Sequence, residues 1–92
     1  MTDIFNVENV FDVTYTRNML IAELKIMIKK GFEISWFTTN NNSFGWEDIN
    51  VDVKGFLKKL KDLDFKIADV GYFDPKEKKT IYECYEMNGN EM

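Results

Sequence analysis

Between Phe11 and Trp36 the apolar residues change period twice, and few folds accommodate that change. Phe11, Val13 and Tyr15 alternate with Asp12 and Thr14, the period of two expected of a strand with one buried face. From Thr16 the spacing lengthens. Leu20, Ile21, Leu24, Met27 and Ile28 fall on one face of a helix, while Glu23, Lys25 and Lys29 point elsewhere. Thr16 is placed to cap its start. Lys29-Lys30-Gly31-Phe32 supplies the stop: cations meet the negative end of the helix dipole, and Gly31 suits the left-handed position just past a helix. In the matching Schellman arrangement Phe32 touches Met27. Phe32, Ile34 and Trp36 then alternate with Glu33, Ser35 and Phe37, a second strand on which an outward Phe37 is the exception.

The remainder repeats these themes. Thr38 to Gly45 (TTNNNSFG) reads as a loop, because Asn, Ser and Gly tolerate turn conformations. Trp46 to Val53 is ambiguous between strand and helix, and a helix beginning near Val51 is favoured, with Asn50 or Asp52 able to cap it. Val53, Phe56, Leu57 and Leu60 form its apolar stripe, Lys54, Lys58 and Lys61 a polar one, and Gly55 weakens it. Phe65 to Phe73 and Thr80 to Met87 read as an antiparallel hairpin joined by Asp74-Pro75-Lys76-Glu77, with proline at the second turn position. The order β-α-β-α-β-β predicts an α+β fold, a two-layer sandwich with two helices packed on one face of a roughly four-stranded sheet. The other face is left for solvent or a partner.

At 92 residues one core and a single domain over 1–92 are expected, with residues 1–6 and 88–92 fraying. Its single cysteine, Cys84, cannot form an internal disulfide, which favours a reducing compartment and so the cytoplasm. Neither a signal peptide nor a membrane span is evident. The net charge of −4 sits mainly in the second half, where residues 47–92 carry eleven acids and eight bases against five and four in residues 1–46. That balance disfavours nonspecific nucleic-acid binding. Eleven lysines against one arginine, with two alanines, is the usage of AT-rich codons and points to a low-GC bacterium or its phages and plasmids.

The chemistry available is narrow. With no histidine, Ser-His-Asp and Cys-His nucleophile systems and His-containing zinc sites are excluded, and one cysteine excludes a four-cysteine zinc site or CxxC chemistry. Neither GxGxxG nor GxxxxGK[ST] is present. Carboxylate pairs such as Glu47/Asp48, Asp62/Asp64 and Glu83/Glu86 have no distinguishing spacing and read as solvated surface. Asp48-x-Asn50-x-Asp52 opens like an EF-hand loop, but Val53 and Lys59 stand where that loop needs glycine and glutamate. No catalytic residue, cofactor or metal is therefore expected. Cys84, among Tyr82, Glu83 and Tyr85, is expected to hold a raised thiol pKa.

Surfaces carry more information than pockets here. Trp36, Phe37, Phe44 and Trp46 surround the polar loop. Adjacent Trp36 and Phe37 on a strand must face opposite sides, so one of them leaves the core. Exposed aromatics are common binding anchors, and the competing reading is a satellite cluster that folds the loop onto the domain. Tyr72, Phe73, Tyr82 and Tyr85 add aromatics on the hairpin, one set of which can line the uncovered sheet face. In size and mild acidity the chain resembles small inhibitor, immunity and anti-defence proteins. The leading expectation is a noncatalytic module that binds a larger protein, by steric occlusion or acidic mimicry, through Trp36, Phe37, Phe44, Trp46 and the acids Asp62, Asp64, Asp69, Glu83 and Glu86. The alternatives are a small-molecule-binding or regulatory domain, possible as a homodimer, and, more weakly, a nucleic-acid accessory protein.

Overall fold

The computed structural model describes residues 15–87; the expected strand at Phe11 to Tyr15 lies outside them except for Tyr15, as do both expected frayed ends. The described chain runs α1 (Arg17–Lys29), β1 (Glu33–Thr39), β2 (Ser43–Gly45), α2 (Trp46–Asn50), α3 (Val53–Leu60), β3 (Ile67–Asp74) and β4 (Lys79–Glu86). The strands form one antiparallel sheet in the order β2-β1-β3-β4. The fold is α+β, with the helices packed on the sheet as the periodicity predicts. Tyr15 reaches the β4 end by a parallel bridge to Met87.

Local chemistry sets the ends of α1 as expected. The Thr16 hydroxyl accepts from the Met19 N–H at 3.1 Å, satisfying one of the unpaired donors of the first turn. At the other end Phe32 N–H donates to the Met27 carbonyl and Gly31 N–H to that of Ile28, with Gly31 at φ 105°. This is the Schellman pairing. It turns the chain directly into β1.

On the helix side, Leu20, Ile21 and Leu24 of α1, Ile49 of α2, and Phe56, Leu57 and Leu60 of α3 pack in one core with Ile34, Phe37, Ala68, Val70, Tyr72 and Tyr85 of the sheet. Two corrections to the sequence-based expectation concern β1 and the segment after it. Phe37 is not outward: it is fully buried (0% exposed), with Phe56 at 5.4 Å and Phe65 at 6.1 Å between ring centroids. Trp36 takes the other face instead. The cause is a β-bulge between Ile34 and Trp36, in which the extra residue, Ser35, lets Ile34 and Phe37 both face the helices. Burying a phenylalanine side chain is worth roughly 1.5–3 kcal/mol, so three further rings gathered around Phe37 outweigh one irregularity in the ladder.

The second correction is that Ser43 to Gly45 belongs to the sheet, pairing with Trp36, Phe37 and Thr38, and that the chain is already helical at Trp46. The helix breaks at Val51 and Asp52 and restarts at Val53, where the Asp52 carboxylate accepts from Gly55 N–H at 3.0 Å. Asn50 caps neither helix. Its side-chain amide donates to the Ile34 carbonyl at 2.7 Å and accepts from the Ile34 N–H at 3.5 Å, so it stands in for a strand partner where β2 has ended. The expected hairpin forms with Asp74 opposite Lys79. Its tip is closed by Lys78 N–H donating to the Asp74 carbonyl, and Lys78 takes the left-handed conformation at φ 57°.

Candidate functional site

Residues directly opposite one another in an antiparallel pair share a face. The register therefore defines the face that, among the described residues, no helix covers: Ser43 and Gly45 on β2, Glu33, Trp36 and Thr38 on β1, Ile67, Asp69, Gly71 and Phe73 on β3, and Thr80, Tyr82, Cys84 and Glu86 on β4. None of these positions carries a lysine or arginine. Glu33, Asp69 and Glu86 carry carboxylates.

At the centre of the face Trp36 lies across Gly71. A Cβ at Gly71 would overlap the six-membered part of the indole, so only glycine lets the ring rest on the strand backbone. Tyr82, which is 58% exposed, stacks beside it with ring centroids 6.4 Å apart and planes 29° apart. The Tyr82 hydroxyl donates to Asp69 Oδ1 at 2.8 Å. That bond ties the end of the aromatic tile to a carboxylate, and it raises the tyrosine pKa because the protonated hydroxyl is the donor.

Cys84 joins the same group. It lies directly opposite Asp69, and hydrogen bonding to that carboxylate, burial and the nearby Asp69 and Glu86 charges push its thiol pKa up. The thiol is kept protonated, which makes it a poor nucleophile.

The structure brings together only part of the expected surface. Trp36 and Asp69 meet on the open face, and Glu86 lies further along it, opposite Ile67. Trp46 is exposed, and its indole N–H donates to Glu33 Oε1 at 3.0 Å at the margin of the same face. Phe44 packs against Phe37 and Phe56 and belongs, like Phe37, to the helix side, with the Lys59 ammonium 5.7 Å from its ring centre.

The polar loop between them is latched. Asn41 donates to the Asp64 carbonyl and Asn40 accepts from Lys66 N–H, each at 3.0 Å, while Thr39 Oγ1 accepts from Asn41 and Asn42 N–H. This is the satellite arrangement that folds the loop onto the domain. The acids do not converge. Asp62 and Asp64 lie exposed after α3, with Asp64 3.5 Å from Arg17, and Glu83 pairs with Val70 on the helix-side register of β4.

Reasoning on the sequence did not single out Gly71 or Glu33. A glycine inside the apolar run of β3 was the available signal for a close approach. For Glu33 there was none, since its contact comes from a helix thirteen residues on.

The polar side chains of the EF-hand-like stretch each have a separate local role: Asp48 accepts from Gly45 N–H, Asn50 binds Ile34 and Asp52 caps α3. Among the described residues no three His, Cys, Asp or Glu side chains group to hold a metal ion, and no helix is long and apolar enough to cross a membrane. Compared with known proteins, the chain matches no family model, no curated protein and no solved structure.

Proposed function

We propose that this chain is a noncatalytic binding module that inhibits or regulates a larger protein by covering part of its surface with the open sheet face. One observation carries the reading: an aromatic tile of half-buried Trp36 and exposed Tyr82 is built on a glycine and bordered by Asp69. Large aromatic side chains bury much area at little entropic cost, which is why they anchor interfaces. Here they are held outward although a core was available to them. The carboxylates of the face would repel one another across a symmetric contact, so a partner of different charge is favoured over a second copy.

The test is affinity capture from the native host with the wild-type chain, Tyr82→Ala and, as a control on the exposed side of α3, Lys58→Ala, after circular dichroism has verified folding. A stoichiometric partner is expected with wild type and Lys58→Ala, and its recovery should fall about tenfold or more with Tyr82→Ala, as for a central interface aromatic. A partner retained equally by Tyr82→Ala would remove the sheet face from the reading, and repeated recovery of the chain alone would remove the partner.

A further inference from the structure

We infer that the Trp36, Tyr82 and Asp69 group is an arginine site, made to take the guanidinium of an exposed arginine on the partner. This rests on reading the open face as a protein-binding surface and narrows it to one chemistry. Trp36 is seated on the Gly71 backbone, and the Tyr82 ring beside it is inclined to the indole by 29° with centroids 6.4 Å apart, so the two form one aromatic surface. A guanidinium is planar and weakly hydrated, and it stacks on such a surface while the ring quadrupole attracts its charge.

Asp69 stands at the end of the tile, fixed by the Tyr82 hydroxyl at Oδ1. A carboxylate has about four acceptor positions, and the Tyr82 hydroxyl occupies one. The others remain for the N–H groups of a stacked guanidinium, which donate in a fork that a carboxylate matches. Glu33 and Glu86 extend the negative potential along the face, and among the described residues no lysine or arginine stands at its strand positions to offset it.

The competing occupants fit less well. Unpaired nucleobases also stack on sheet-face aromatics, but their phosphates need lysine or arginine beside the rings, and this face offers carboxylates. An apolar side chain would cover the tile and desolvate Asp69 with nothing in return. A lysine ammonium gains the charge attraction without the planar stack or the fork.

The test uses the full chain with Trp46→Phe, which leaves Trp36 as the sole tryptophan reporter. A Gly-Ser peptide carrying four arginines, its lysine and citrulline counterparts, and oligo-dT are titrated at near-physiological salt, where weak exposed charge pairs are screened. The arginine peptide should change Trp36 fluorescence and bind about fivefold tighter than the lysine peptide and about tenfold tighter than the citrulline peptide. Asp69→Asn should weaken it by about tenfold, whereas Asp62→Asn with Asp64→Asn, which removes twice the charge elsewhere, should leave it nearly unchanged. Tyr82→Leu should weaken the arginine peptide more than the lysine peptide.

Equal binding of arginine and lysine peptides, equal loss in the Asp62/Asp64 variant, equal weakening of both peptides by Tyr82→Leu, or binding without a change at Trp36 would each overturn the arginine site. Affinity capture from the host would still decide the protein-binding reading. Tighter binding of oligo-dT with a Trp36 response would overturn both.

Discussion

The Trp36 indole rests directly on the backbone of Gly71, in the space that any other residue's Cβ would fill. Gly71 is buried in a central strand, where glycine ordinarily costs about 0.5–1 kcal/mol relative to alanine. Its presence is therefore explained by the ring above it. Gly71→Ala should destabilise the wild-type chain by about 1–3 kcal/mol, the usual cost of overpacking, and should change Trp36 fluorescence as the ring is displaced. In a Trp36→Ala background the same substitution should become neutral or stabilising. Urea denaturation of the four chains in this double-mutant cycle measures the coupling. Additive effects would mean that Trp36 does not occupy the Gly71 surface.

Beneath the sheet, Tyr72 and Tyr85 share a buried hydroxyl pair at 2.7 Å. Burial, then the bond to Tyr85, holds the Tyr72 hydroxyl far above its ordinary range, and burial pushes Tyr85 up to about 12. Both folded values exceed the unfolded value of 10.0. Their stabilising contribution is therefore complete below pH 10 and is lost above it, because the unfolded chain gives up these protons first. Stability should fall between pH 10 and 12 by up to about 1.4 kcal/mol per pH unit for each tyrosine. Tyr72→Phe should cost about 1–3 kcal/mol at pH 7 by leaving the Tyr85 hydroxyl without its partner, and it should flatten the alkaline slope. Urea midpoints at pH 7, 9 and 11 for both chains check this, and identical slopes above pH 10 would refute it.

Features decided within a few residues were legible in the chain. Thr16 and the run Lys29 to Phe32 bound α1 because caps are local chemistry, and Pro75 marks the hairpin because it presets a turn. The hairpin aromatics Tyr72, Phe73, Tyr82 and Tyr85 likewise led to the expectation that one set of them lines the open face, and the register shows which set that is. The orientation of Trp36 and Phe37 was not legible. Both are large and apolar, and the choice between them depends on Phe56, Phe65 and Gly71, which come near only after the sheet and α3 assemble. A bulge at Ser35 has no signature of its own. The three residues of β2 are similarly too few to show an alternation, and their Asn-rich approach resembles any polar loop until Asn40 and Asn41 find residues 64–66.

The strand edge beside the bulge is completed by a residue far along the chain. Where β2 ends, Ile34 still presents an N–H and a carbonyl on that edge of β1, and the Asn50 side chain meets both while also donating to the Trp46 carbonyl at 3.1 Å. Ile34 is fully buried, so water is a poor substitute for these bonds. Asn50→Ala should therefore cost about 1–3 kcal/mol, far more than a substitution at an ordinary polar surface position. Asn50→Asp tests the direction of the bonds. It keeps the acceptor for Ile34 N–H but sets a carboxylate against two carbonyl oxygens, so it should destabilise at least as much as alanine. Because Asn50 joins α2 to β1 beside the bulge, both variants should speed hydrogen exchange at Ile34 and Trp36 before they affect Val70, which lies in the central ladder. Urea midpoints with amide exchange measure the two effects together. A midpoint unchanged by Asn50→Ala would show that the bulge is held by the packing of Phe37 alone.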